Sequence, residues 1–338
     1  MNNVTPPRSQ NILITGGLGF IGTHLASAYI DAGHSVTLLD SMVAAVNDGS
    51  MFGDQSRVRI LKTTIENFFS ASGGINSYDT VIHAASQVGP AGILTHTGRL
   101  GSEIVRSIQL LVDACIDSNK PLVAFSSAEV YGRSGILSET DVVHVPTRFN
   151  TRLEYAIAKL LTECIVANNA TRGLKAAVIR PFNVAGPRQS SAGGFVIPTF
   201  VQQALAGAPL TIFAGGEQKR AFLAAADLSR FLLEFVDAAI SSPNLIFNLG
   251  NPDNTISISQ LAHKIKRLTQ SNSPIDHVDA KSIHGDLYEE ALSVDKIPAL
   301  GAALSLGWRP LVSLDELLRE TINFYRAHPD PRSSISRK

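Results

Sequence analysis

The stretch Asn11-Ile12-Leu13-Ile14-Thr15-Gly16-Gly17-Leu18-Gly19-Phe20-Ile21-Gly22 decides the fold. A short apolar run ends in glycines, a helical pattern covers residues 20–32, and a second β-rich run follows at Ser35–Asp40. That alternation is a βαβ unit. Gly16, Gly19 and Gly22 stand as G-x-x-G-x-x-G between strand and helix. Such a loop turns tightly, lets backbone N–H groups approach a pyrophosphate, and allows the helix to pack close to the strand. A side chain at any of the three would obstruct one of these tasks. A glycine-rich turn with no ligand is the plainer alternative, and Asp40 weighs against it. A carboxylate at the end of the second strand accepts hydrogen bonds from both ribose hydroxyls of a dinucleotide. It would repel a 2′-phosphate, and Ser41-Met42-Val43-Ala44-Ala45 carries no cation to offset that, so NAD is expected rather than NADP.

Strand-like runs recur at 57–62, 80–85, 122–127 and 175–182, separated by helical stretches such as 106–118 and Leu153–Ala170. Strands alternating with helices predict an α/β fold, a doubly wound parallel sheet of the Rossmann type. Beyond Pro181 the character changes. Gly193-Gly194, Pro198, Gly207-Ala208-Pro209 and Gly215-Gly216 punctuate shorter elements. The expected organisation is a dinucleotide-binding domain over residues 1–180, with its core from about residue 11. A smaller interleaved lobe over 181–328 returns some segments to that core, and 329–338 is a solvated tail.

A chain of 338 residues can bury a large core, and its formal net charge is zero. No basic stripe precedes the last few residues, which gives no support to a nucleic-acid partner. The first ten residues are polar and broken by Pro6-Pro7, and no later run approaches membrane-spanning length, so a soluble, cytoplasmic protein without a membrane partner is expected. The two cysteines, Cys115 and Cys164, each lie in an apolar helical pattern and read as buried inert thiols, neither a disulfide nor a metal pair. No metal is expected.

Tyr155-Ala156-Ile157-Ala158-Lys159 carries the candidate chemistry. Spacing i, i+4 puts the phenol and the ammonium on one helix face, where the cation is expected to lower the phenol pKa toward neutrality. A tyrosinate is a suitable general base for a sugar or alcohol hydroxyl. Alone, Y-x-x-x-K describes many ordinary helix surfaces. Further motifs accompany it in order: His83-Ala84-Ala85, Ser126-Ser127-Ala128-Glu129-Val130-Tyr131-Gly132, Arg180-Pro181-Phe182-Asn183-Val184-Ala185-Gly186-Pro187-Arg188-Gln189, and Leu306-Gly307-Trp308-Arg309-Pro310.

With these motifs the chain resembles the extended short-chain dehydrogenase/reductase family, within its NAD-dependent nucleotide-sugar epimerase/dehydratase group. The resemblance runs from about residue 11 to about residue 328. It implies that Ser127 shares the reacting hydroxyl with Tyr155, that Tyr155 takes its proton, and that Lys159 holds the cofactor ribose. Read alone, Ser126 and Ser127 could simply end a strand and cap a helix. The resemblance also implies cofactor contacts at Gly16, Gly19, Phe20, Ile21, Gly22, Asp40, Thr64, Ile65, Ala84, Ala85 and Pro181. For the substrate it implies Ser127, Ala128, Glu129, Asn183, Arg188 and Arg220. An arginine fork matches diphosphate geometry, which suits Arg220; the alternative is a solvated surface charge.

Four departures bear on the reaction. The acid–base pair of 4,6-dehydratases is here Ala128-Glu129, and a methyl group cannot donate a proton. Glu129 is left as a base, a sugar-hydroxyl acceptor or a buried acid. Thr63-Thr64-Ile65 replaces the acid that holds adenine in relatives. The segment from Gln87 to Val105, with His96, is unlike the family's, and Tyr288-Glu289-Glu290-Ala291-Leu292-Ser293-Val294-Asp295 lacks the arginine pair of decarboxylases. The expectation is a homodimeric NAD-dependent epimerase inverting C4 of a nucleotide-hexose, UDP before dTDP or GDP, through a 4-keto sugar. A decarboxylase, an unusual dehydratase and a ketosugar reductase are alternatives on the same scaffold. Outside enzymology, an NAD-binding sensor or assembly protein is the alternative.

Overall fold

The computed structural model describes residues 9–53, 56–71, 74–86, 89–145, 152–279 and 295–329 of the 338. Most of the acidic 288–295 stretch, Gln87 and most of the terminal tail lie outside the described residues. In chain order the first half runs β1 (Asn11–Thr15), α1 (Phe20–Asp31), β2 (Ser35–Asp40), β3 (Val58–Lys62), α2 (Ile65–Ser70), β4 (Thr80–His83), α3 (Gly89–Thr95), α4 (Leu100–Asp117), β5 (Leu122–Phe125), β6 (Gly135–Leu137), α5 (Leu153–Ala170) and β7 (Ala176–Pro181). The second half runs β8 (Val184–Ala185), α6 (Val196–Leu205), β9 (Leu210–Phe213), β10 (Lys219–Ala221), β11 (Leu223–Ala224), α7 (Ala225–Glu234), α8 (Val236–Ile240), β12 (Ile246–Leu249), β13 (Thr255–Ser257), α9 (Ile258–Thr269), β14 (Ile275–Val278), β15 (Lys296–Pro298), α10 (Gly301–Ser305) and α11 (Leu314–Ala327).

A seven-stranded sheet in the order β12-β7-β5-β4-β1-β2-β3 forms the centre, parallel throughout. This is the doubly wound Rossmann-type fold. The order reverses between β1 and β4, so the crevice at the carboxyl ends of these two strands is where a ligand binds in such sheets. β12 comes from the C-terminal half and closes the sheet beyond β7.

Alternation along β1 sorts its side chains. Ile12 and Ile14 join the core shared with α1 and α7, whereas Leu13 joins the core under α4 and α5. On the first side Leu25, Ala26 and Tyr29 meet Leu228, Phe231 and Leu232, and the buried Trp308 packs edge-on to Phe231 at 5.6 Å. On the second, Ile104, Ile108, Leu111, Val112 and Cys115 recur at helical spacing along α4 and face inward. The second lobe has its own core of Phe200, Val201, Leu210, Ile212, Phe222, Leu261, Ile265, Leu317 and Leu318. Beside it lies a four-stranded sheet in the order β13-β10-β15-β6, which sets Arg220 of β10 opposite Lys296 of β15.

Two local expectations are corrected. Residues 89–95 form a helix and α4 begins at Leu100, six residues before the expected helix start, because Gly98 and Arg99 interrupt the pattern without ending the packing. Cys164 is exposed on the outer face of α5, while Cys115 is buried with its thiol pushed up to about 12 by desolvation. Among the described residues no helix is long and apolar enough to cross a membrane.

Candidate active site

The glycine loop closes on its own backbone. Gly16 takes a φ of +69°, and a Cβ there would lie 2.7 Å from the backbone of Ala85 at the end of β4. A Cβ on Gly22 would lie 2.1 Å from the Gly16 carbonyl oxygen, and one on Gly19 3.2 Å from the same atom. These contacts seat α1, which starts at Phe20 and Ile21, over the crevice between β1 and β4. Asp40 is buried at the end of β2, its carboxylate accepting from the N–H of Leu18 at 3.0 Å and of Met42 at 2.8 Å. A carboxylate has acceptor sites beyond these two. Under the loop, buried His83 and Thr15 share a hydrogen bond of 2.7 Å, with burial and the nearby Lys159 charge holding the imidazole down at about 3. The Ala84 N–H joins β4 to β1 through the Thr15 carbonyl at 3.1 Å.

Three further positions follow the rim of this crevice. Thr64 caps α2, its hydroxyl accepting from the Asn67 N–H, with Ile65 buried behind it. Pro181 ends β7 and is followed by Asn183, whose φ is +41° and whose amide donates to the Ala221 carbonyl at 3.1 Å. Arg188 lies beside His24 of α1, with its Nη1 4.0 Å from the Met51 sulfur. Burial and that arginine together pull His24 down to about 4.

Ser127, Tyr155 and Lys159 converge at the end of β5. Ser127 caps the short turn Ala128–Tyr131, its hydroxyl accepting from the Glu129 N–H at 3.2 Å. Tyr155 is buried among Ile93, Leu100, Ile104 and Ala158. The Lys159 Nζ stands 5.9 Å from the centre of the Tyr155 ring and donates to the Phe125 carbonyl at 2.8 Å. The expected lowering of the phenol is not realised here. Burial drives the Tyr155 phenol well above its ordinary value; a hydrogen bond with Ser127 pulls it down and the charge of Glu129 pushes it up. The lysine is itself lowered to about 8, by burial, with Glu163 opposing the shift.

A charged cluster borders this trio. The Lys296 Nζ lies 2.5 Å from Glu129 Oε1, and an Arg152 guanidinium nitrogen lies 3.7 Å from the same oxygen. Burial pushes Glu129 up, but Lys296 and Arg152 outweigh it and, with Arg220, hold the carboxyl down at about 2. Arg220 is buried, not solvated, and donates to the Lys219 carbonyl at 2.9 Å. Three cations therefore surround one carboxylate beside Ser127. Asp295 accepts from the Lys219 N–H at 2.7 Å, and its charge also acts on Arg220.

Residues 12–250 match the NAD dependent epimerase/dehydratase family. The chain belongs to that family. It is 30% identical over 327 residues to a UDP-N-acetyl-alpha-D-glucosaminuronate decarboxylase of Bacillus cytotoxicus, covering 94% of this chain and 98% of that one. It is 31% identical over 323 residues to UDP-glucuronic acid decarboxylase 1 of Xenopus tropicalis, covering 94% and 72%. Its fold superposes on the UDP-glucose 4-epimerase of Thermotoga maritima, solved with UDP-glucose, with a TM-score of 0.80 and 25% identity over 95% of this chain and all of that one.

As a member of the epimerase/dehydratase family the protein is an NAD-dependent nucleotide-sugar enzyme. Its residues fit the cofactor: the glycine cradle has no room for side chains, α1 points its first turn at the crevice, and Asp40 stands at the end of β2. The cradle, Asp40 and the Ser127–Tyr155–Lys159 trio are the parts that the motifs had marked. Lys296 and Arg152 had gone unmarked, because nothing local distinguishes them. Lys296 reaches Glu129 only through the pairing of β15 with β10 and β6.

Proposed function

We propose that this enzyme oxidises C4 of a UDP-linked uronic acid and that the resulting 4-keto acid loses its C6 carboxylate as CO2. The observation that carries the reading is the cluster at Glu129: Lys296 and Arg152 place positive charge beside the reacting groups, with Arg220 close by. A neutral hexose has no use for that charge; a uronate supplies its complement. The absence of the decarboxylases' arginine pair had counted against this reaction in the sequence. Lys296 and Arg152, the cations at Glu129, support the reaction despite that absence.

The division of labour follows from position. NAD, held by the glycine cradle and Asp40, would supply the hydride acceptor for C4 and the hydride donor for its return. Tyr155, with Ser127 beside it, is the group placed to take the proton of the C4 hydroxyl, a role that requires the phenol, held up by burial, to be lowered by the positive charge that a bound nicotinamide would bring. Lys159 holds the end of β5, and with it the main chain leading to Ser127. With a ketone at C4, the C5–C6 bond breaks as CO2 leaves and its electron pair passes into the C4 carbonyl, giving an enolate that is protonated at C5. Lys296 and Arg152 orient the departing carboxylate. Glu129 cannot donate a proton at neutral pH, since its pKa of about 2 keeps it ionised. Asn183 and Arg220 line the way to the UDP diphosphate.

A second reading is C4 inversion through the same 4-keto sugar, favoured by Ala128, whose methyl replaces a dehydratase's acid and leaves room for the sugar to turn. Proton NMR of the protein with UDP-glucuronate, UDP-N-acetylglucosaminuronate, UDP-glucose and UDP-N-acetylglucosamine, with and without added NAD, tests both. A UDP-pentose and CO2 from a uronate support decarboxylation. A C4 epimer from any of the four, without CO2, replaces that reading with epimerisation.

The homodimer is proposed through α4 and α5, which pack on each other. Ile157, Leu161 and Cys164 form an exposed apolar line along α5, with Ile116 exposed on α4.

A further inference from the structure

Behind the reacting trio lies a buried ion pair that the reaction as described does not use. Glu163 follows Lys159 by one helical turn on α5, and both side chains are buried. One oxygen of Glu163 accepts from the Ser126 hydroxyl and, at 2.8 Å, from the Arg180 Nε; the other accepts from the Arg180 Nη2 at 2.6 Å. The Ser126 N–H donates to the Ile179 carbonyl at 2.7 Å, next to Arg180 on β7. Arg180 in turn lies over the Tyr131 ring at 4.7 Å, and the Tyr131 hydroxyl donates to Asn248 at 2.7 Å. The main chain from Phe125 to Ser127 is therefore gripped at one carbonyl by Lys159 and at the next side chain by Glu163. Buried pairs of this kind are rarely retained for stability, because desolvation offsets their attraction.

We propose that Glu163 is a positioning residue of the reaction: through Ser126 and Lys159 it fixes the stretch that carries the Ser127 hydroxyl, and its negative charge keeps the Lys159 ammonium protonated in a buried site. The charged and titratable groups facing Lys159 are Tyr155 and Glu163 on its own helix and His83 at the end of β4; Arg180 of β7 reaches it only through Glu163. Among them Glu163 is the one that carries negative charge at neutral pH. Burial lowers Lys159 to about 8 even with Glu163 present, so the ammonium has little margin.

The test is a titration of the full-length protein labelled with 13C-lysine, following the Lys159 Cε resonance, which is assigned by its disappearance in Lys159→Arg. In Glu163→Gln, which keeps the shape and loses the charge, the Lys159 midpoint is expected to fall by about one pH unit or more. Because that change leaves Arg180 buried without its counter-ion, Glu163→Gln/Arg180→Met is measured beside it and should show a fall in the same direction, smaller because the Arg180 charge is gone as well. Glu163→Asp should restore most of the midpoint. An unmoved midpoint in both Gln variants overturns the proposal and leaves the pair a structural tie. The titration needs no substrate, so its outcome is independent of whether UDP-uronates are turned over. Where turnover is measurable, the alkaline limb of kcat should move with the Lys159 midpoint.

Discussion

Glu129 and Lys296 meet at 2.5 Å, carboxylate to ammonium, joining the turn after β5 to a strand of the second lobe's sheet. The carboxyl is held at about 2 against an ordinary 4.5. A depressed carboxylate pKa contributes stability that is fully present above the unfolded value and is lost as pH falls through the folded one. The pair therefore works unchanged at neutral pH and weakens only between about pH 4.5 and pH 2. Replacing Lys296 by Met removes the nearer of two cations from Glu129, a half-buried carboxylate that keeps Arg152, and is expected to cost about 1 kcal/mol. The expected result is a lower Tm together with a KM for UDP-glucuronate raised about tenfold, the equivalent of about 1.4 kcal/mol. Glu129→Gln/Lys296→Met should recover Tm without recovering KM. An unchanged KM in Lys296→Met would take Lys296 out of the substrate site.

The glycine cradle makes a graded prediction. At Gly22 an added Cβ meets the Gly16 carbonyl at 2.1 Å, which requires the loop or α1 to move. At Gly19 the contact is 3.2 Å and a small adjustment accommodates it. NAD content measured on the purified protein should fall to near zero in Gly22→Ala and only partly in Gly19→Ala. Equal losses in the two variants would mean that close packing of loop on helix is not what the cofactor requires.

The same contrast explains what the sequence disclosed. β1, β2 and α5 end where the glycines, Asp40 and the apolar periodicity place them, because those signals are local and each has a steric reason. β4, β5 and β7 are each two residues shorter than the apolar runs that marked them. α3 was unreadable through Gly89, Pro90 and Gly92, which obscure helical spacing. Lys296 was unreadable for another reason: its place beside Glu129 depends on pairing between distant strands, while Arg152 reaches Glu129 from the start of α5. The i, i+4 spacing of Tyr155 and Lys159 was read correctly as geometry and incorrectly as electrostatics. The ammonium turns to the Phe125 carbonyl, and burial of the phenol then dominates.

The exposed line on α5 predicts the assembly. Ile157 and Leu161 are each 43% exposed, one helical turn apart, on a helix whose other face is packed against α4 and the sheet. Charging that line with Ile157→Lys/Leu161→Glu leaves the core untouched and should yield a monomer of about half the mass of the parent in sedimentation or light scattering. A parent chain already monomeric at micromolar concentration, or a dimer surviving both substitutions, would rule out this face.

Two histidines, His83 buried and His24 half-buried, set the acid side of stability. His24 is held at about 4 and His83 at about 3, against 6.5 when the chain is unfolded; burial is the first cause in both, reinforced by Arg188 for one and Lys159 for the other. Both are neutral in the folded protein below pH 6.5 while the unfolded chain binds protons at both. Stability therefore falls with pH from 6.5 downward, with a limiting slope of about 1.4 kcal/mol per pH unit for each histidine. His34, also lowered chiefly by burial, adds to the same trend. Glu129 contributes little in the window from pH 6.5 to 5, because its unfolded value of 4.5 and its folded value of about 2 both lie below that window. Urea unfolding at pH 7.5, 6.5, 5.8 and 5.0 should thus show a progressive loss that shrinks by more than half in His24→Gln/His83→Gln. A flat profile in the parent, or the same slope in the double variant, would show that neither imidazole is kept neutral by the fold.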